Sequence, residues 1–244
     1  MSGQIVPRGT LLRLPNPANV PRGTPLKRSD PDPSKAELIR LLAEGFEALP
    51  GLPEQRQAAI SALAELAILV EKWTQRINLT GHRSAESVVR RLILDAAALD
   101  AAIPAEVRSL VDLGSGAGFP GLPLAILHPE RKVLLIEARE RRHHFQRMAI
   151  RELGIANVEA RQGRAEALPP SSHDAGIAQA AAAPPDAVGL LLPWVRPGGW
   201  LIVPGGSRAP RVGHPPEVEV AKIAHYRVPL GGPSRTAWVG RKRA

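Results

Sequence analysis

The 244 residues carry 32 Lys and Arg against 23 Asp and Glu, a formal net charge of +9, and 44% are hydrophobic. That length suits one catalytic unit with attachments, and the charge suits an anionic partner such as nucleic acid. With no cysteine, disulfide scaffolds, thiolate metal sites and cysteine nucleophiles are excluded. No apolar run approaches the ~20 residues of a membrane span.

Residues 1–35 hold Pro7, Pro15, Pro17, Pro21, Pro25, Pro31 and Pro33, a spacing that no helix survives, and read as a disordered basic tail. The tail lacks the apolar core of a secretory signal, so a cytoplasmic location is expected. Residues 36–104 are expected to form a helical cap. Ser34 is placed to cap a helix through Leu38, Leu41, Leu42 and Phe46, ending near Pro50-Gly51. A second helix follows Pro53. Its apolar residues Ile60, Leu63, Ala67, Val70, Trp73 and Ile77 fall three or four apart, so one stripe faces a core. A third is predicted from Glu86 to about Ala102, before Pro104.

From 105 to 244 the pattern alternates between strand and helix. Strands are expected over Ser109–Leu113, Lys132–Glu137, 157–161, 174–178 and 200–203, the last after the turn Pro197-Gly198-Gly199. A helix starts near Pro120 to Pro123, a basic helix covers 140–153, and a hairpin over 217–229 and 235–240 closes the chain. This order predicts an α/β fold: a doubly wound, mostly parallel, Rossmann-like sheet covered by helices on both faces.

The first strand runs into Asp112-Leu113-Gly114-Ser115-Gly116-Ala117-Gly118-Phe119-Pro120-Gly121. Ligands of such sheets bind at the carboxyl ends of the strands. Gly114, Gly116 and Gly118 let the backbone lie flat against a cofactor. The glycine spacing also fits a dinucleotide, whose pyrophosphate would sit on the following helix. Asp112, two places before the first glycine, disfavours a pyrophosphate and suits an ammonium, so S-adenosylmethionine is the expected cofactor. Glu137, at the end of the second strand, is placed to accept bonds from ribose hydroxyls of either cofactor. Gly163-Arg164-Ala165-Glu166 falls on the same rim, where it would read an adenine ring; an Arg164–Glu166 surface ion pair explains the residues equally well.

Several pieces resemble the bacterial small-subunit ribosomal RNA guanine-N7 methyltransferases, the RsmG or GidB family. They are Lys72-Trp73 with Ile77-Asn78-Leu79-Thr80, Ile93-Leu94-Asp95, the glycine loop continuing through Phe119-Pro120-Gly121 to Ile126, and Arg164-Ala165-Glu166. The resemblance implies a seven-stranded methyltransferase sheet preceded by helices. It implies cofactor contacts at Gly114, Phe119, Ala165 and Glu166, with Asn78-Leu79-Thr80 shaping the entrance. Asn78 and Gln179 are the acceptor-side candidates, Gln179 also counting as a cofactor contact; as residue types, Asn78 and Thr80 serve equally well at a helix end. The chain departs from the family at Leu92, where a histidine is usual, at Gln179 within Ala178-Gln179-Ala180, where serine-arginine-alanine is usual, and at Pro204, where lysine is usual.

Guanine N7 is an acceptor without a proton, so its methylation requires orientation and no general base. No metal is expected: adjacent His143 and His144 point off a helix in different directions. With Arg139, Arg141, Arg142 and Arg147 they make a basic helix suited to RNA phosphates. The partner expected is small-subunit ribosomal RNA or the small ribosomal subunit. Two other readings stay open, a methyltransferase with another acceptor and a cofactor-binding RNA or ribosome-assembly factor with weak or no catalysis.

Overall fold

Two mainly apolar runs of five and six residues, buried after their first residue, form the centre of the sheet: β1 (Ser109–Leu113) and β2 (Lys132–Glu137). In this computed structural model, residues 33–49, 56–179, 183–213 and 215–244 are described. The basic tail before residue 33, the breaks at Pro50-Gly51 and Pro53, and Ala180 lie outside them. The other strands are β3 (Val158–Gln162), β4 (His173–Ala178), β5 (Val195–Gly205), β6 (Val218–Arg227) and β7 (Ser234–Lys242). They stand in the order β3-β2-β1-β4-β5-β7-β6. Pairing is parallel through β5, and β7 inserts antiparallel between β5 and β6. The chain winds outward from β1 to β3, then returns to β4 on the other side of β1. That reversal opens the crevice at the β1 and β4 carboxyl ends.

The β1–β4 register is fixed by side-chain chemistry at the far end. Asp174 Oδ2 accepts the Arg108 and Ser109 amides at 2.9 Å each, and the Asp174 amide donates to Ser109 Oγ. Burial opposes the Asp174 charge, but hydrogen bonds from Arg196 and these amides hold its carboxyl below the usual range.

One sheet face carries the helical layer. α1 (Pro33–Glu47) buries Leu38, Leu42 and Phe46, and α2 (Arg56–Thr74) buries Ile60, Leu63, Ala67 and Val70. These side chains join α5 (Gly121–Leu127) and α6 (Glu140–Glu152) in one continuous core with the sheet. The opposite face packs on α7 (Pro184–Leu191). Among the described residues, no helix is long and apolar enough to cross a membrane.

Four expectations need correction. Ser34 is the second residue of α1, because Pro33, with its fixed φ, already starts the helix. Ile77 lies beyond α2, which ends at Thr74; the chain turns there, with Ile77 N–H bonded to Trp73 O. The third helix is one run over 85–102, capped by Ser84 Oγ accepting the Ser87 amide, but it is not uniform. It passes from α3 (Ala85–Val88) through a π turn (Val89–Ile93) to α4 (Leu94–Leu99) and a closing 3₁₀ turn. β5 begins at Val195, so the glycine turn lies inside the strand, where the pairing with β4 shifts register between His173 and Ala175.

Candidate cofactor and acceptor site

The glycine loop is tied down on two sides. Ser115 donates its amide and its hydroxyl to Ile136 O, at 3.0 and 3.2 Å, which anchors the loop to β2. Gln146, fully buried on α6, donates Nε2 to Ser115 Oγ and to Gly116 O, each at 2.8 Å. Glu137 closes the ring: Oε2 accepts the Gly116 amide at 2.9 Å and Oε1 the Arg139 amide at 2.7 Å. The second of these bonds sets the start of α6.

Asp112 lies under this loop with no exposed surface. Its Oδ2 accepts the Gly121 amide at 2.9 Å, whereas Oδ1 has no partner. A Cβ at Gly121 would stand 3.0 Å from that Oδ2, so the first turn of α5 approaches the carboxylate as only glycine allows. Burial pushes the Asp112 carboxyl up to about 7; the Gly121 amide opposes this and the negative Glu137 adds to it.

These residues fit S-adenosylmethionine. Asp112 Oδ1 is a buried acceptor in want of a donor, as an ammonium or its bound water would be. Glu137 uses one lone pair on each oxygen, and a carboxylate offers about four acceptor sites, so two remain for ribose hydroxyls. Gly116 stands at φ +59°, and the nearest atoms to a Cβ there are Arg142 Nη1 at 3.8 Å and Gly114 O at 3.9 Å, an open cradle for a ligand. The Gly163 amide donates to Glu137 O at 3.0 Å, which brings the segment 163–166 to the same rim. There Ala165 is half-buried, and Arg164 and Glu166 are exposed without pairing to each other. Phe119 is half-buried, its amide bonded to Ser115 O.

Gln179, the acceptor-side candidate, lines a small cleft of about 20 Å³ with Arg91, Leu92, Asp95, Phe119 and Pro120. Two of the departures from the family, Leu92 and Gln179, thus belong to one cleft. Pro204 does not follow β5, as expected, but lies within it opposite Ala237 of β7. Pairing with β4 ends at Ile202, so a residue without an N–H interrupts no bond to that strand. Asn78 is exposed beyond α2 and does not line this cleft; Thr80 Oγ1 accepts the His82 amide at 2.9 Å, a turn-forming role.

On α6, Arg139, Arg141 and Arg147 are exposed and Arg142 leans over the loop. His143 turns inward to Ala160 O at 3.2 Å, while His144 packs against Trp73, ring centroids 5.7 Å apart. A cavity of about 900 Å³ opens at the opposite end of the sheet, beside the first residues of β1 to β4, and holds none of these groups.

Sequence reasoning passed over Gln146, Arg91, the partner of Asp95 and the bonds by which Ser115 anchors the loop. Gln146 carried a signal: it is a lone amide on the buried stripe Phe145, Met148 and Ala149. Asp95 Oδ2 meets Arg235 Nη2 of β7 at 3.1 Å, a contact across 140 residues that no local pattern announces.

The family model for rRNA small subunit methyltransferase G, GidB, matches residues 59–228. A ribosomal RNA small subunit methyltransferase G of Cereibacter sphaeroides is 39% identical over 165 residues, 66% of this chain and 77% of its own. One from Chromohalobacter salexigens is 36% identical over 181 residues, 73% and 86% of the two chains. Among solved structures, a putative O-methyltransferase from Klebsiella pneumoniae is similar in fold, with a TM-score of 0.51, 16% identity, and 86% and 97% of the chains covered. With the matched region spanning the glycine loop, Glu137 and Gln179, the chain belongs to the GidB family of small-subunit ribosomal RNA methyltransferases.

Proposed function

We propose that this chain methylates N7 of a guanine in small-subunit ribosomal RNA, with S-adenosylmethionine as donor. The observation that carries the reading is the pair of buried carboxyl groups at the glycine loop, Asp112 on the Gly121 amide and Glu137 on the Gly116 amide, within the matched region 59–228. When bound, S-adenosylmethionine supplies a methyl group activated by a sulfonium. Glu137 holds the ribose and Asp112 answers the amino-acid end, directly or through water. Gly114, Gly116 and Gly118 give the backbone that lies against the donor, and Ala165 and Glu166 face its adenine. Phe119 forms the wall between donor and acceptor cleft, with Gln179 opposite. Together these residues would hold the donor and orient the acceptor base against it, and orientation of this kind supplies roughly 7–11 kcal/mol of a barrier. No residue is asked to take a proton, because N7 has none.

Arg139, Arg141, Arg142 and Arg147 form the RNA-facing side, since none of them is in an ion pair among the described residues. The acceptor places the work in the cytoplasm, on the small ribosomal subunit or its RNA. The test is methyl transfer from labelled S-adenosylmethionine to small subunits purified from a strain lacking this enzyme. The expected result is one 7-methylguanosine per subunit by mass spectrometry; label appearing on another position, or none, overturns the acceptor.

A further inference from the structure

On the helical run 85–102, one residue lining the small cleft is an arginine that pairs with no acid among the described residues. Arg91 is exposed and lines the cleft with Leu92, Phe119 and Gln179. On a regular helix its natural partner would be Asp95, four residues on. Two features prevent that pairing. The segment Val89–Ile93 is a π turn, with the Leu94 amide bonded to Val89 O five residues back. Such a turn puts residues four apart out of line. Asp95 is also taken: Arg235 Nη2 stands 3.1 Å from its Oδ2. Arg90, by contrast, pairs with Glu86 at 2.8 Å. Among the described residues Arg91 has no such partner. Its charge reaches His82, whose pKa is lowered first by burial and then by Arg91.

We propose that Arg91 grips the phosphodiester of the acceptor nucleotide as its base is held against the surface around Phe119 and Gln179, a contact that rests on the RNA acceptor argued above. Phosphate is favoured over the base by charge. Methylation of N7 leaves the guanine ring positive, and a guanidinium facing the ring would oppose that change. A phosphate beside the same nucleotide is attracted throughout, and the planar fork of arginine matches its oxygens. The contact positions the nucleotide and does not join the chemistry.

The experiment compares the parent chain, Arg91→Gln and Arg91→Lys in methyl transfer to small ribosomal subunits over a range of salt, with calorimetry against S-adenosylhomocysteine on each. Arg91→Gln is expected to raise KM for subunits roughly tenfold or more. It should also reduce the salt slope of log kcat/KM by about one. Arg91→Lys should keep the parent's slope, and affinity for S-adenosylhomocysteine should match in all three. Equal slopes in the Gln and Lys variants, or a Gln variant with the parent's KM, overturn the contact alone. A Gln variant that loses S-adenosylhomocysteine affinity shows a structural role and also overturns it. A parent that binds S-adenosylhomocysteine but transfers nothing to subunits overturns the acceptor reading, and with it this contact.

Discussion

A carboxylate buried without a cation is costly, and Asp112 is one: fully enclosed, half-satisfied by the Gly121 amide, and near Glu137. With its pKa at about 7 in the folded chain, against about 3.9 when unfolded, it keeps its proton at pH values where the unfolded chain has lost it. Folding therefore takes up a proton, and stability falls as pH rises from about 4 to about 7, by on the order of 4 kcal/mol for this group. Asp112→Asn keeps an oxygen for Gly121 and removes the titration. Urea unfolding of the free protein should show the Asn variant gaining on the parent across that window and levelling above it. A constant difference between the two from pH 4 to 8 would contradict this account of Asp112. The sequence pointed to Asp112 through its place before the glycines, but it did not reveal that the side chain lies under the loop and grips α5. That depends on which way Gly121 bends the chain.

At the scale of elements, α6 supports the loop from behind while showing arginines in front. The basic face was legible from Arg139 to Arg147, because charge on an exposed face needs no partner to be recognised. The support was not, because Gln146 acts through Ser115 and Gly116, thirty residues earlier. Gln146→Leu fills similar space but leaves Gly116 O without its donor. Unfolding should cost about 1–3 kcal/mol less than in the parent, and S-adenosylhomocysteine affinity should fall as the loop loosens. Parent-like values in both urea unfolding and calorimetry would remove Gln146 from the site. The glycine loop itself was readable because strand, acid and glycines are contiguous. The π turn was not, since Val89-Arg90-Arg91-Leu92-Ile93 suits an ordinary helix as well.

At the scale of the whole molecule, the alternation of strand and helix gave the α/β class and the closing hairpin. It did not give the strand order or α7. The short run Pro184–Leu191 resembles a loop until its apolar side meets the sheet. The insertion of β7 between β5 and β6 brings the hairpin to Asp95, on the wall of the small cleft beside Gln179. Arg235 of the hairpin holds Asp95 of the helical layer, so hairpin and helical layer together clamp one wall. Arg235→Met leaves the Asp95 carboxylate buried and short of a cation. The expected cost is about 2 kcal/mol or more, below that of a wholly enclosed pair because a third of the Arg235 side chain is exposed. Asp95→Asn with Arg235→Met should recover part of that loss in urea unfolding; a harmless single Arg235→Met would show that the clamp contributes nothing.

The most direct test of the central claim, that this fold places a guanine N7 of small-subunit RNA against a bound methyl donor, is made in the cell. Small-subunit RNA from a strain with the gene deleted is digested and its 7-methylguanosine measured by mass spectrometry. Loss of one 7-methylguanosine per subunit is expected, restored by the parent gene and not by one carrying Glu137→Ala. An unchanged 7-methylguanosine content in the deletion strain would contradict it.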